Sequence, residues 1–109
     1  MKPGRYPLII YKGNPLDITI TWRDKDGDLV DLSGCRAKLQ VKQAPDGALL
    51  GYWEDGQGIE LGGSAGTIRI LIKDTAEMTW DNGVWRLVIE PEDSEPLTLI
   101  EGPAEIIAG

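Results

Sequence analysis

Strict alternation of apolar and polar side chains is the feature that most limits how this chain folds. Residues 15–23 place Leu16, Ile18, Ile20 and Trp22 on one side and polar residues on the other. Because successive side chains of a strand point to opposite faces, this pattern predicts a strand with one buried face. The same period of two recurs over residues 35–42, 68–73 and 85–90. We therefore expect an all-β fold.

Turn residues separate the predicted strands. Residues 24–28 read Asp-Lys-Asp-Gly-Asp, and Gly27 supplies the positive φ that suits a hairpin turn. Residues 44–47 and 62–66 predict two further turns, since both are rich in Gly and other turn formers. Gly51 lies inside the strand predicted over residues 48–54, where it indicates a bulge or a close approach of the backbone.

The last third of the chain carries two more local signals. Asp74 and Glu77 have the spacing of a helix start, which predicts one helical turn capped by the Asp74 carboxylate. Pro103 falls in the final predicted strand, residues 97–107. Because proline has no amide proton to donate, we expect that strand at a sheet edge or at a bulge.

About seven or eight short strands with one apolar face each predict an immunoglobulin-like antiparallel β-sandwich. A small β-barrel is the alternative, since the pattern does not fix how the sheet closes. Residues 1–109 are expected to form one domain, with residues 1–10 as an N-terminal arm or edge strand. The chain has no phenylalanine, so Trp22 and Trp85 should fill much of the core, and Trp22→Ala should nearly unfold the domain.

Composition excludes several kinds of chemistry. The chain has no histidine and a single cysteine, Cys35, which excludes Ser-His-Asp triads, Cys-His pairs, histidine-ligated metals and an internal disulfide. No catalytic residue, metal site or cofactor is expected. No apolar run reaches the roughly 20 residues of a membrane span, and residues 1–5 lack the apolar stretch of a secretory signal.

Two loops invite ligand hypotheses that their spacing does not favour. Asp24, Asp26 and Asp28 offer oxygen ligands for calcium, but Gly27 lies between the second and third acids, so a solvated turn is the better interpretation. Residues 62–66 are glycine-rich, but no lysine follows them and they join two strands, so we expect a turn and no phosphate cradle.

The charge of the chain favours neither nucleic-acid binding nor catalysis by a pair of carboxylates. Eleven basic residues face 18 acidic ones, a formal charge of -7 that repels phosphates. The basic stripe of Arg36, Lys38 and Lys42 is interpreted as protection of an edge strand. Asp31, between two apolar residues, is expected to accept backbone hydrogen bonds around Ser33 and Gly34.

Four aromatic residues are the candidates for binding a partner. Tyr52 and Trp53 are adjacent on a predicted strand, so one of the two rings must face outward. Exposed Tyr and Trp are enriched at protein interfaces, and they also stack on sugars. Trp80, beside the helical turn, is a third candidate. Tyr6, with Pro7, belongs to a segment that is a candidate for strand addition to a neighbour's sheet edge.

The order of the strand and turn motifs carries a family resemblance. Tyr11-Lys12-Gly13-Asn14 precedes the strand Ile18-Thr19-Ile20-Thr21-Trp22-Arg23-Asp24, and Asp26-Gly27-Asp28 leads into Leu29-Val30-Asp31-Leu32-Ser33-Gly34. This order resembles small structural domains of tailed bacteriophages, such as the N-terminal domain of upper baseplate proteins. The likeness continues through residues 37–42, 58–63 and 65–68 to about Ile106.

The resemblance implies a non-enzymatic protein of the virion, made in the host cytoplasm. Such a protein would join tail, baseplate or fibre parts, or decorate a head, by packing against other virion proteins and copies of itself. No nucleic acid or membrane partner is expected. The alternative hypothesis is a carbohydrate-binding module that uses Tyr52 or Trp53 as a stacking platform.

Overall fold

The computed structural model describes residues 4–108, which form nine strands and two short 3-10 turns. The strands are β1 (Gly4–Arg5), β2 (Leu8–Tyr11), β3 (Leu16–Thr21), β4 (Arg36–Lys42), β5 (Leu49–Asp55), β6 (Gly58–Leu61), β7 (Thr67–Ile72), β8 (Asn82–Glu90) and β9 (Leu97–Ile107). The 3-10 turns are Gly63–Ala65 and Thr75–Glu77. The predicted all-β class is confirmed.

The strands form two layers that meet at one corner. One layer has the order β9-β8-β4-β5, with β1 and β2 pairing parallel to β9, and the other has the order β6-β7-β3. These orders match the G-F-C-C′ and D-E-B arrangements of an immunoglobulin-like sandwich. A short contact between β5 and β6 joins the layers, and the 3-10 turn Thr75–Glu77 leads from β7 in one layer to β8 in the other.

The hydrogen-bonded path ends at β3 on one side and at β1 and β2 on the other. Because these terminal strands do not pair with each other within residues 4–108, the sheet curls without closing. The sandwich prediction is confirmed, and the barrel alternative is not realised in the part of the chain that the structure describes.

The core lies between the layers and follows the alternation of the sequence. In β4, Ala37, Leu39 and Val41 are fully buried, while the residues between them face outward. The inward residues of β7 and β8 are buried in the same way: Ile68, Ile70, Ile72, Trp85, Leu87 and Ile89. Leu8 and Ile10 of β2 are also fully buried, so part of the N-terminal segment belongs to the core.

The two tryptophans predicted to fill the core differ in burial. Trp85 is only 2% exposed, as predicted. Trp22 is half-buried and packs at the margin of the core. The expectation that Trp22 fills much of the core is therefore wrong, although its inward orientation is correct. Trp22 follows β3, which is paired on one side only, and the open side leaves part of its ring uncovered.

Glycine positions behave largely as their sequence context predicts. Gly27 has a φ of 83° in the turn after β3. A bulge in β5 falls at Leu50, next to Gly51, where the partner of Val41 is Gly51 and that of Lys42 is Leu49. The Trp53 ring lies over Gly51, and a Cβ there would stand 2.6 Å from it. The prediction of a bulge and a close approach near Gly51 is confirmed.

Three local predictions are wrong. Pro103 is at neither an edge nor a bulge, because β9 pairs with β8 on one side and with β1 and β2 on the other. Pro103 lies level with the interruption between β1 and β2, where its missing amide proton costs little. Asp74 precedes the 3-10 turn but its side chain makes no capping hydrogen bond. The basic stripe lies on β4, which is paired on both sides.

Candidate interaction surfaces

A groove of about 430 Å³ lies on the outer face of β4, β8 and β9 and is called here the outer-face groove. Outward residues of three strands form most of its lining, with apolar Val84 and Pro103 among them, and Pro45 of the turn after β4 adjoins them. Its remaining lining is Arg5, Gln40, Lys42, Trp85, Arg86, Glu101 and Gly102. Sequence analysis marked Lys42 but missed the others, because only the register of the sheet brings them together.

Cations outnumber acids in the outer-face groove, although the chain is acidic overall. Arg86 and Arg5 both approach the carboxylate of Glu101, at 3.8 and 3.9 Å. These distances are long for ion pairs, and the guanidinium groups are largely exposed. Lys42 adds a third cation to the lining. The groove therefore suits an extended partner segment that carries carboxylates, since an exposed guanidinium group can donate two parallel hydrogen bonds to a carboxylate.

The remaining members of the basic stripe are matched by neighbouring acids. Arg36 donates to the Asp55 carboxylate at 3.2 Å, and Lys38 forms an ion pair with Glu90. The hydrogen bond that Lys38 donates to the Glu90 carboxylate raises the pKa of Lys38, and the one that Arg36 donates to the Asp55 carboxylate raises the pKa of Arg36. These charges link β4 to its neighbours.

A buried indole fixes the N-terminal segment against this layer. The Trp85 Nε1 donates to the backbone carbonyl of Tyr6 at 2.7 Å. Gly102, the register partner of Trp85, makes room for this contact, because a Cβ there would collide with the Tyr6 backbone. The Tyr6 side chain is 56% exposed. The strands on either side of Tyr6 pair with β9 of the same chain, and strand addition to a neighbour's sheet edge stays a prediction.

Tyr52 is the outward ring of the Tyr52–Trp53 pair. Its side chain is 40% exposed, and its hydroxyl contacts the Glu54 carboxylate at 3.4 Å. Trp53 is half-buried and packs against the core, with its ring over Gly51 and Gly58. The prediction that one of the two rings faces outward is confirmed.

Trp53 and Trp80 come together although 27 positions separate their numbers. Both line a shallow depression of about 210 Å³ between β5 and the 3-10 turn Thr75–Glu77, with Leu50 and Met78 beside them. Tyr52 lies on the opposite face of β5, and Tyr6 lies at the β1–β2 edge. The four aromatic candidates thus form no single surface.

Hydrogen bonds from nearby amides to carboxylates stabilise the acidic loops. The Asp24 carboxylate accepts the amides of Asp26 and Asp28 at 2.9 and 3.0 Å, which supports the interpretation as a turn. The Asp31 carboxylate accepts the Ser33 amide at 2.9 Å, as predicted. Hydrogen bonds from the Ser33 hydroxyl and amide keep the pKa of Asp31 below its usual range. Among residues 4–108 no cluster of three or more acidic or thiol ligands could hold a metal ion.

Sequence analysis missed the role of Thr75. Its side chain is fully buried, and its hydroxyl donates to the Asn14 carbonyl at 2.8 Å and accepts the Gly13 amide at 2.9 Å. These bonds connect the turn between β2 and β3 to the 3-10 turn before β8. A threonine in an apparent helix cap gives no sign of so distant a partner.

Within residues 4–108 no helix has the length and apolar character to cross a membrane. No protein-family model matches the chain, and no curated protein matches it. Among solved structures, the chain is similar to one described as Drosophila OTK, extracellular domains 3-5, at 23% identity and a TM-score of 0.42. The match covers 95% of this chain and 33% of that one, so the chain spans about a third of that structure's length.

Proposed function

We propose that this protein is a non-enzymatic structural component of a tailed-bacteriophage particle, which acts through contacts with other virion proteins and with copies of itself. The observation that carries the proposal is how the polar residues of the resembling motifs are used. Asp24 and Asp31 both bind amides of their own loops. The motif residues therefore maintain shape, which is what a scaffold requires of them.

The outer-face groove supplies a contact surface for such a role. It combines an apolar lining with three cations, on a layer whose strands are hydrogen-bonded to one another. A rigid sheet face presents its side chains at fixed spacing, which lowers the entropy lost on binding. A carboxylate-bearing segment of a neighbouring virion protein fits this surface by charge.

The direct test is location in the particle. We expect the chain to co-purify with particles through a density gradient, at a copy number that quantitative mass spectrometry finds constant between preparations. A second arm replaces Lys42 and Arg86 by glutamate and measures incorporation. Lys73→Glu, at an exposed position on the other layer, is the matched control. Absence of the wild-type chain from purified particles would overturn the proposal.

Glycan binding is the second candidate function, and exposed Tyr52 favours it. The half-buried position of Trp53 leaves Tyr52 as the better stacking platform. A glycan array read with wild-type protein and Tyr52→Ala tests this function. Tyr11→Ala, which removes a similarly exposed ring from β2, is the control. Signal that Tyr52→Ala abolishes and Tyr11→Ala retains would favour sugar binding over assembly.

A further inference from the structure

The two ends of the hydrogen-bonded path differ in how they are protected. The β1–β2 edge is interrupted at Tyr6 and Pro7, and proline offers no amide proton to an incoming strand. The edge formed by β3, called here the β3 edge, runs without interruption from Leu16 to Thr21. It contains no proline, lysine or bulge, and its one charged side chain, Asp17, is paired with Arg69 of β7.

The hydrogen bonds show which groups the β3 edge presents. The Trp22 amide donates to the Gly66 carbonyl at 2.8 Å, on the β7 side. Backbone groups of alternate residues point to opposite sides of an antiparallel strand. Ile18 and Ile20 therefore bond to β7, whereas Asp17, Thr19 and Thr21 direct their backbone groups to the open side. Pro15 also directs its backbone to the open side, and because it has no amide proton it ends the edge.

Strand A would cover this edge in an immunoglobulin-like sheet of order A-B-E-D. Here the N-terminal strands pair with β9, and no described strand lies on the open side of β3, the side away from β7. The inward residues Ile18 and Ile20 remain only half-buried, while Ile68 and Ile70, their partners on β7, are fully buried. Apolar surface and backbone groups are thus left open along the same edge.

We propose that β3 of a second copy of this chain occupies the edge, antiparallel and centred on Thr19. In this register Thr19 faces Thr19, and Asp17 faces Thr21 on both sides of the twofold axis. It is the one register that pairs all three edge residues with one another, and each pair exchanges two hydrogen bonds. Ile18 then lies opposite Ile20, which extends the apolar face of the layer.

Charge favours the same register. The Asp17 carboxylate is already held by Arg69 of β7, with bonds of 2.8 and 3.0 Å. Centring on Asp17 would instead oppose two carboxylates, and like charges directly opposite each other are destabilising. The inference deepens the proposed function, because it names one partner and one surface for the self-assembly proposed above.

Cysteine crosslinking tests the register. Both variants are made in a Cys35→Ser background, which removes the native thiol. Thr19→Cys places two sulfurs at directly opposed positions, about 5.5 Å apart at Cα, within the range of a disulfide. Thr21→Cys is the matched control, because its nearest copy would be four residues away, roughly 13 Å. We expect a disulfide-linked dimer from Thr19→Cys and none from Thr21→Cys under mild oxidation.

Sedimentation equilibrium of the wild type, over a range of concentrations, gives the second readout. Thr19→Lys should weaken the dimer by about tenfold or more, since it sets two ammonium groups opposite each other. Ile9→Lys, on the other edge, should leave the dimer unchanged. Equal crosslinking of both cysteine variants, crosslinking of neither, or a wild type that stays monomeric would overturn the proposal.

The outcome is separable from that of the proposed function. A monomer that still occurs in purified particles would disprove the β3 pairing alone. A dimer that is absent from particles would disprove the virion role alone.

Discussion

The region around Trp85 and the corner around Trp22 are built from the same sequence pattern and end with different burial. Trp85 lies on β8, which is paired on both sides, and its indole nitrogen is bound by the Tyr6 carbonyl. Trp22 follows β3, the terminal strand of the curled sheet, and remains half-buried. An inward position is thus not sufficient to bury a residue fully. Its strand must also have a neighbouring strand on each side.

The largest effect is expected at Trp85. Trp85→Ala removes a fully packed indole and leaves a cavity, which costs about 3–5 kcal/mol of a total stability of about 5–15 kcal/mol. Urea denaturation followed by circular dichroism measures this loss. Trp85→Phe keeps most of the ring but loses the bond to Tyr6, so it should cost less. A loss at Trp85 no greater than that at Trp22 would refute the contrast between the two regions.

Trp22→Ala should cost about half as much, near 2 kcal/mol, because part of its ring is already exposed to solvent. The variant is expected to fold and unfold cooperatively in the same urea experiment. If β3 pairs with a second copy, the cost should rise with protein concentration, since Trp22 lies beside the proposed interface. A variant that fails to fold at any concentration would show that the corner is as tightly packed as the region around Trp85.

Thr75 offers a way to loosen the other end of β3, where the turn after β2 leads into the strand. Thr75→Val keeps the shape but removes the hydroxyl, which leaves the Gly13 amide without its partner and should cost about 1–2 kcal/mol. Thr75→Ser retains the hydroxyl and is the control. Hydrogen exchange should report faster opening of the Gly13 amide in the valine variant only. Equal protection in both variants would contradict the role assigned to the hydroxyl.

The strands were predictable because burial of one face requires apolar and polar residues to alternate, and this alternation is visible in the sequence. β9 spans the predicted residues 97–107, and the alternation in β4 matches its buried residues. The alternation does not determine which strands become neighbours in the sheet. Pro103 and the basic stripe on β4 were misplaced for that reason, since each was assigned to an edge by residue type alone.

The interaction surfaces depend on the same missing information. Arg86 and Glu101 are ordinary outward residues until the register of β8 and β9 pairs them. Trp53 and Trp80 meet because β5 and the 3-10 turn Thr75–Glu77 lie side by side. By contrast, the Asp31–Ser33 bond spans two residues, so a local rule was enough to predict it.

The smallest expected effects concern two carboxylates, one in each layer, whose pKa values are lowered by folding. Asp55 lies in the same layer as Trp85, where it accepts the Ala37 amide at 3.0 Å and ties β5 to β4. Asp17 lies on β3, which is open on one side, and binds Arg69. The Ala37 amide lowers the pKa of Asp55, and the Arg69 side chain lowers that of Asp17. A carboxyl whose pKa is lowered by folding stabilises the protein above its unfolded pKa, and this contribution is lost as the pH falls through the folded value.

Both groups should therefore contribute above about pH 4 and lose their contribution below it. Asp17 is the more exposed of the two, so solvent should screen its pair more strongly. We expect Asp55→Asn to flatten the acid limb of the stability curve by a small amount, below about 1 kcal/mol, and Asp17→Asn to change it less. Urea midpoints measured from pH 2 to 7 decide the order. A larger effect at Asp17 would mean that this carboxylate is shielded from solvent, as it would be if β3 paired with a second copy. Repeating the series at low protein concentration would distinguish such pairing from burial within one chain.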